Sequence, residues 1–214
     1  MPGIAIFTIE QFQERIRRFE RSYVQDWDQW CDSYTRGIDV AVQFGRVLRR
    51  WQACRPNSMR RSRSEGSHQA PFLDDLIDEA APHIQTLYKF DIRADDSFTA
   101  DAKLALSRLW IIFQDLSYHG KARNGKAGIV GISKATLLLT KGRIGPALDS
   151  NVRDHLGIQE PKNILEWISV LKLVSRDIQR FEEKNATTLQ KAAPQQFQQL
   201  HCGRIYDMAL GPRR

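Results

Sequence analysis

The chain has 214 residues, 42% of them hydrophobic and 27% charged, and carries a formal net charge of +7. That length can bury a sizeable apolar core as one domain, and no apolar run approaches the roughly 20 residues that a membrane span needs. Its class is therefore that of a globular protein without a membrane-spanning segment, and no secretion signal is legible in MPGIAIFTIEQF, so the expected location is cytoplasmic.

Residues 8–30 carry Ile9, Phe12, Ile16, Phe19, Tyr23, Trp27 and Trp30 at steps of three and four, which predicts an amphipathic helix with Thr8 as its N-cap. A second stripe, Ile38, Ala41, Phe44, Leu48 and Trp51, predicts another over 35–53. Between Arg55 and Pro71 the pattern collapses into RPNSMRRSRSEGSHQAP, and a mobile basic loop is expected there, with Arg55, Arg60, Arg61 and Arg63 opposed only by Glu65. Periodicity resumes at Phe72, Leu73, Leu76, Ile77 and Ala80, and Pro82 should start a new helix or kink the old one. A further helix is expected over 99–118, with Leu109, Ile112, Phe113 and Leu116 on one face, followed by a KARNGKAG loop.

Downstream, Pro161 is expected in the first turn of a long helix bearing Ile164, Ile168, Leu171, Ser175, Ile178 and Phe181 and ending near Asn185. Pro194 should start a last helix through Phe197, Leu200, His201 and Met208, with the GPRR tail fraying. No segment alternates with the period of a half-buried strand and no repeat is found, so the predicted fold class is all-α, a single helical domain over residues 1–214. Cys31, Cys54 and Cys202 are an odd, scattered set, and neither they nor His68, His83, His119, His155 and His201 show metal-ligand spacing, so no metal is expected.

The charge is concentrated. No acidic residue lies between Asp115 and Asp149, while Lys121, Arg123, Lys126, Lys134, Lys141 and Arg143 all do. Glycines interleave them, and glycine ahead of a helix N-terminus lets a phosphate reach unsatisfied backbone N–H groups. Gly128-Ile-Val-Gly131-Ile-Ser133-Lys134 has that form, with Ser133 read as the cap and Lys134 to Thr140 as the helix. The Gly-Arg-Ile-Gly-Pro turn then leads to Asp149, placed to cap the helix that Val152 and Leu156 imply.

Two pieces of this stretch, Gly131-Ile132-Ser133-Lys134-Ala135 and Pro146-Ala147-Leu148-Asp149-Ser150-Asn151-Val152-Arg153, resemble the hairpin and catalytic-aspartate segments of the helix-hairpin-helix DNA glycosylase superfamily. That family shows a Gly-Val-Gly hairpin followed by Lys or Thr and Ala, and later Pro-x-Asp-Thr-His-Val-Arg. The resemblance covers about residues 128–157, with Ser133 at the second hairpin glycine, Asn151 at the usual histidine and Pro146 one residue further from Asp149. It implies a DNA partner and cleavage of the N-glycosidic bond of a modified base, with no cofactor. Asp149 would stabilise the oxocarbenium-like state or activate the nucleophile, and a desolvated Lys134 would be the candidate for covalent attack. Gly128, Gly131, Ser133, Lys126, Lys141 and Arg143 would hold phosphates, and Tyr118 and His119 would line the base pocket. Two alternatives stand beside it: a non-catalytic nucleic-acid-binding module in which Asp149 is only a cap, and a helical protein whose basic loops meet an acidic protein partner.

Overall fold

The computed structural model describes residues 3–33, 39–55, 58–66, 70–118 and 125–213. Among them are ten α-helices, several short 3-10 turns and two isolated bridges, with no strand, so the all-α expectation holds. No helix of the described residues is long and apolar enough to cross a membrane.

Helix α1 (Ile9–Arg17) starts at Thr8, whose hydroxyl accepts from Gln11 N at 3.3 Å while Gln11 Oε1 accepts from Thr8 N at 3.0 Å. The single helix expected over 8–30 is in fact two: the chain breaks after Arg17 and resumes as α2 (Arg21–Ser33). The break is occupied by the other end of the protein. Phe19 forms a bridge with Arg213, and Glu20 N donates to Pro212 O at 3.1 Å. The tail expected to fray is thus held through Arg213. The apolar stripe survives the break because Phe12, Ile16, Phe19, Trp27 and Trp30 all enter one core.

Helix α3 (Val40–Arg50) is capped by Asp39, which accepts from Val42 N at 3.0 Å; Ile38 lies outside the described residues. The basic segment that follows is pinned over 58–66 rather than mobile. Met59 is buried and bridges to Ser117, and Arg60 donates to the carbonyls of Asp115 and Ala70 at 3.0 and 2.7 Å. Arg63 pairs with Asp75, and Glu65 with Arg49. Helix α4 (Leu73–Thr86) runs through Pro82, so no new helix begins there, and it packs on α5 (Ala100–Gln114), which Thr99 caps.

At the centre lies α6 (Ile129–Leu139). Every residue of it but Val130 is buried, the pattern of a helix enclosed on all sides rather than one with a wet face. The Trp30 indole N–H donates to Leu138 O at 2.9 Å, and the Thr136 and Thr140 hydroxyls donate to carbonyls one turn earlier, so these buried polar groups are satisfied. Helix α7 (Ser150–Leu156) ends on Gly157 in the left-handed region. In α8 (Ile164–Asn185) the cap is Asn163, so Pro161 precedes the helix instead of lying in its first turn.

The last helix expected from Pro194 is also divided. Helix α9 (Leu189–Ala192) is followed by a 3-10 turn at Gln195–Phe197, and α10 begins only at Cys202 (Cys202–Leu210). All nine residues of α10 are buried. Asp177 of α8 accepts from Ile4 N at 2.6 Å and from the Tyr206 hydroxyl at 2.7 Å, joining the first residues, α8 and α10.

Candidate functional site

The 128–157 stretch does not build the hairpin cap that its sequence suggests. Gly128 itself is the N-cap of α6, in extended backbone and exposed, and the helix starts at Ile129. Gly131, Ser133 and Lys134 therefore lie inside the first two turns, and none of them precedes the helix. At Gly131 a Cβ would come within 2.9 Å of Ala53 O and 3.0 Å of Cys54 Sγ, so this glycine is required by the approach of the 53–54 turn. The correction is physical: the glycine lets protein backbone, not phosphate, come close.

Ser133 is buried and cannot meet a phosphate either. Its hydroxyl accepts from Leu148 N at 2.9 Å and faces Val130 O at 3.4 Å. Lys134 is 4% exposed, and its ammonium donates to Trp51 O at the C-terminal end of α3. A cation there meets the unpaired carbonyls and the negative end of the helix dipole. Burial lowers the basicity of Lys134, while the charges of Asp149, Asp207 and Cys54 act in the opposite sense. The Cys54 thiol is itself pushed up to about 12 by burial.

Asp149 is half-buried at the start of α7, and its Oδ1 accepts from Val152 N at 3.1 Å. The cap expected there is present. Among the described residues Oδ2 meets no donor. The backbone leading to it is fixed from three helices. Ala147 N donates to Asp207 Oδ1 of α10 at 3.0 Å, Leu148 N to Ser133 of α6, and the Leu148 carbonyl accepts from Arg153 Nη1 of α7 at 2.7 Å. Asp149 also raises the pKa of Tyr23, after burial has done most of that, which places the phenol in the same electrostatic neighbourhood.

Two residues of this neighbourhood escaped the sequence reading. Arg204 is fully enclosed, its guanidinium 4.6 Å from the ring centre of Trp27 and 5.1 Å from those of Trp51 and Phe19. Its Nη1 donates to Asp207 at 2.6 Å, its Nη2 to Tyr23 O at 3.2 Å, and its backbone N to Gly142 O at 3.0 Å. Asp207 is pushed up to about 6 by burial, with Arg204 pulling the other way. This pair supports the Gly142–Ala147 turn that carries the chain to Asp149. The signal was present as an Arg-x-x-Asp spacing inside an apolar segment.

The remaining candidates are spread out. Lys126 and Lys141 are exposed, the latter with a φ of +50°, while Arg143 is half-buried with its guanidinium 4.7 Å from the Tyr88 ring centre. Tyr118 is tied to the basic segment: its N donates to Ser58 O at 2.9 Å and Arg60 lies 5.8 Å over its ring. His119, Lys121 and Arg123 lie outside the described residues. Among the described residues no group of three or more His, Cys, Asp or Glu could hold a metal ion.

Comparison with protein-family models, with curated proteins and with solved structures finds no match to this chain.

Proposed function

We propose that the chain binds DNA and cleaves the N-glycosidic bond of a modified base with Asp149 as its carboxylate. The observation that carries this reading is the treatment of residues 147–149: three backbone groups of Ala147 and Leu148 are each held by a side chain from a different helix, while Oδ2 of the carboxylate meets no donor among the described residues. A charge held at a fixed position needs no reorganisation when positive charge develops on a sugar, which is how a carboxylate stabilises an oxocarbenium-like state. The exposed start of α6 at Gly128, with Lys126 beside it and Lys141 beyond its far end, supplies the phosphate-facing cations of the reading.

Lys134 has no part in this chemistry as we read it. Its amine is enclosed and already bonded to Trp51 O. The reading is therefore of a hydrolytic enzyme without a Schiff-base intermediate. A second reading, a non-catalytic nucleic-acid-binding module, is favoured by the Val152 bond, since a cap alone would account for an aspartate at that position.

The test is to incubate the protein with duplexes bearing different base lesions and abasic sites, with borohydride present, beside Asp149→Asn. Base release lost in Asp149→Asn, with no trapped adduct, supports the enzyme. Silence from every duplex, with binding that weakens steeply as salt rises and is unchanged in Asp149→Asn, supports the module. An adduct trapped by the native chain would restore a lysine nucleophile.

A further inference from the structure

A cavity of about 250 Å³ lies among the Lys89–Arg93 segment, Gln190 of α9 and the start of α10, with neither Asp149 nor Lys134 in its wall. The wall is mostly polar. Lys89, Arg93, Arg143 and His201 line it, and among the described residues Asp91 is the one carboxylate that does. Asp91 is already engaged, because Arg93 donates to it through Nε at 3.1 Å and Nη2 at 2.6 Å. Arg93 Nη1 in turn meets Gln190 Oε1 at 3.3 Å, so this pair forms a neutralised, fixed side of the cavity.

The other cations are open to solvent and uncompensated. Lys89 is exposed and Arg143 half-buried, and neither forms an ion pair among the described residues. The Arg143 guanidinium lies 4.7 Å from the Tyr88 ring centre, a contact that orients the charge without cancelling it. His201 is half-buried too, and its ring makes no hydrogen bond among the described residues. Burial lowers its basicity and Arg143 lowers it further, with Asp91 opposing, so the imidazole lies within electrostatic reach of both. With His201 neutral, three cations face one carboxylate, and a concave wall of one dominant sign concentrates its field on an anion. The volume falls short of the roughly 300 Å³ at which drug-sized pockets begin, which suits a compact anion rather than a base or nucleotide.

We infer that this cavity binds a phosphate dianion, free or as the monoester of a small molecule, with Arg143 and Lys89 holding its oxygens and His201 donating an N–H. A guanidinium fork matches two phosphate oxygens at once. The site goes beyond the DNA reading, whose phosphate-facing cations are Lys126 and Lys141, and it does not depend on Asp149.

The full chain is titrated by calorimetry with inorganic phosphate, glycerol 3-phosphate and acetate at matched ionic strength, beside Arg143→Gln and Lys89→Gln. One-to-one binding of phosphate, its ester or both is expected, with acetate and both variants weaker by about tenfold. The stronger of the two phosphate ligands tells a free anion from a monoester. In NMR titrations the His201 ring should gain basicity when phosphate is present, since a bound anion favours its protonated form. Should Arg143→Gln fail to fold, the exposed Lys89 carries the comparison. No saturation by roughly 10 mM phosphate, acetate binding as well as phosphate, variants indistinguishable from the native chain, or a His201 ring that does not respond overturns the assignment. So does competition by a duplex lacking terminal phosphates, which would make these cations part of a nucleic-acid face.

Discussion

The backbone N–H of Leu148 donates to the hydroxyl of Ser133, 2.9 Å away and fifteen residues earlier in the chain. Ser133→Ala removes the acceptor and leaves a buried amide unpaired. A loss of about 1–3 kcal/mol is expected in denaturant unfolding. On the proposed function base release should fall further than DNA binding does, because the carboxylate after Leu148 loses one of its three anchors; equal losses in both would count against a positioning role.

Asp149 separates capping from chemistry. Asp149→Asn keeps an acceptor for Val152 N and should leave stability nearly unchanged, whereas Asp149→Ala should cost about 1 kcal/mol. Base release is expected to vanish in both variants, and salt-dependent DNA binding to persist in both. Thermal unfolding beside a single-turnover assay reads the two effects apart.

At Lys134 the expected outcome is structural. Lys134→Met deprives the Trp51 carbonyl of its donor, and should lower stability by about 1–3 kcal/mol. Single-turnover base release should change little at a temperature where the variant is folded. A complete loss of release in a folded Lys134→Met would return the lysine to the reaction.

Asp207 gives stability a pH dependence of definite sign. Its folded pKa, about 6, lies above the ordinary 3.8 because burial disfavours the charge. The folded protein therefore holds this proton more tightly than the unfolded chain. The contribution is fully present below the ordinary value and is lost as pH rises through about 6. Asp207→Asn should abolish this component, flattening the change in urea midpoint between these two values relative to the native chain. Above about pH 6, where Asp207 is ionised, it should also destabilise, since Arg204 is left buried without its carboxylate, at a cost of about 3–5 kcal/mol.

What the sequence disclosed was local. The apolar stripes of α1 to α5 and α8, the Thr8 cap and the Asp149 cap were legible because a helix face and a cap depend on residues within four positions of each other. The break at Arg18–Glu20 was not, because its cause is Pro212 and Arg213 at the other end of the chain. Ser133 and Lys134 were misread for a related reason. Glycines and a cation look alike whether a helix faces solvent or the core, and the apolar residues that mark α6 as enclosed, Ile129, Ile132 and Leu137 to Leu139, were weighed less than its charge. Arg204 and Asp207 passed unnoticed because a pair three positions apart reads as an ordinary surface contact until the helix carrying it is seen to be buried on every side.

Because α6 is enclosed nearly throughout, its amides can reach deuterated solvent only when neighbouring helices separate from it. Exchange along Ile132–Leu139 should accordingly be among the slowest in the molecule and track the free energy of whole-chain opening. Through the Ser133 hydroxyl, the geometry of Asp149 is tied to that same cooperative unit. Heating should then leave the carboxylate's setting intact up to the melting transition and abolish it there in one step, with no prior gradual loosening.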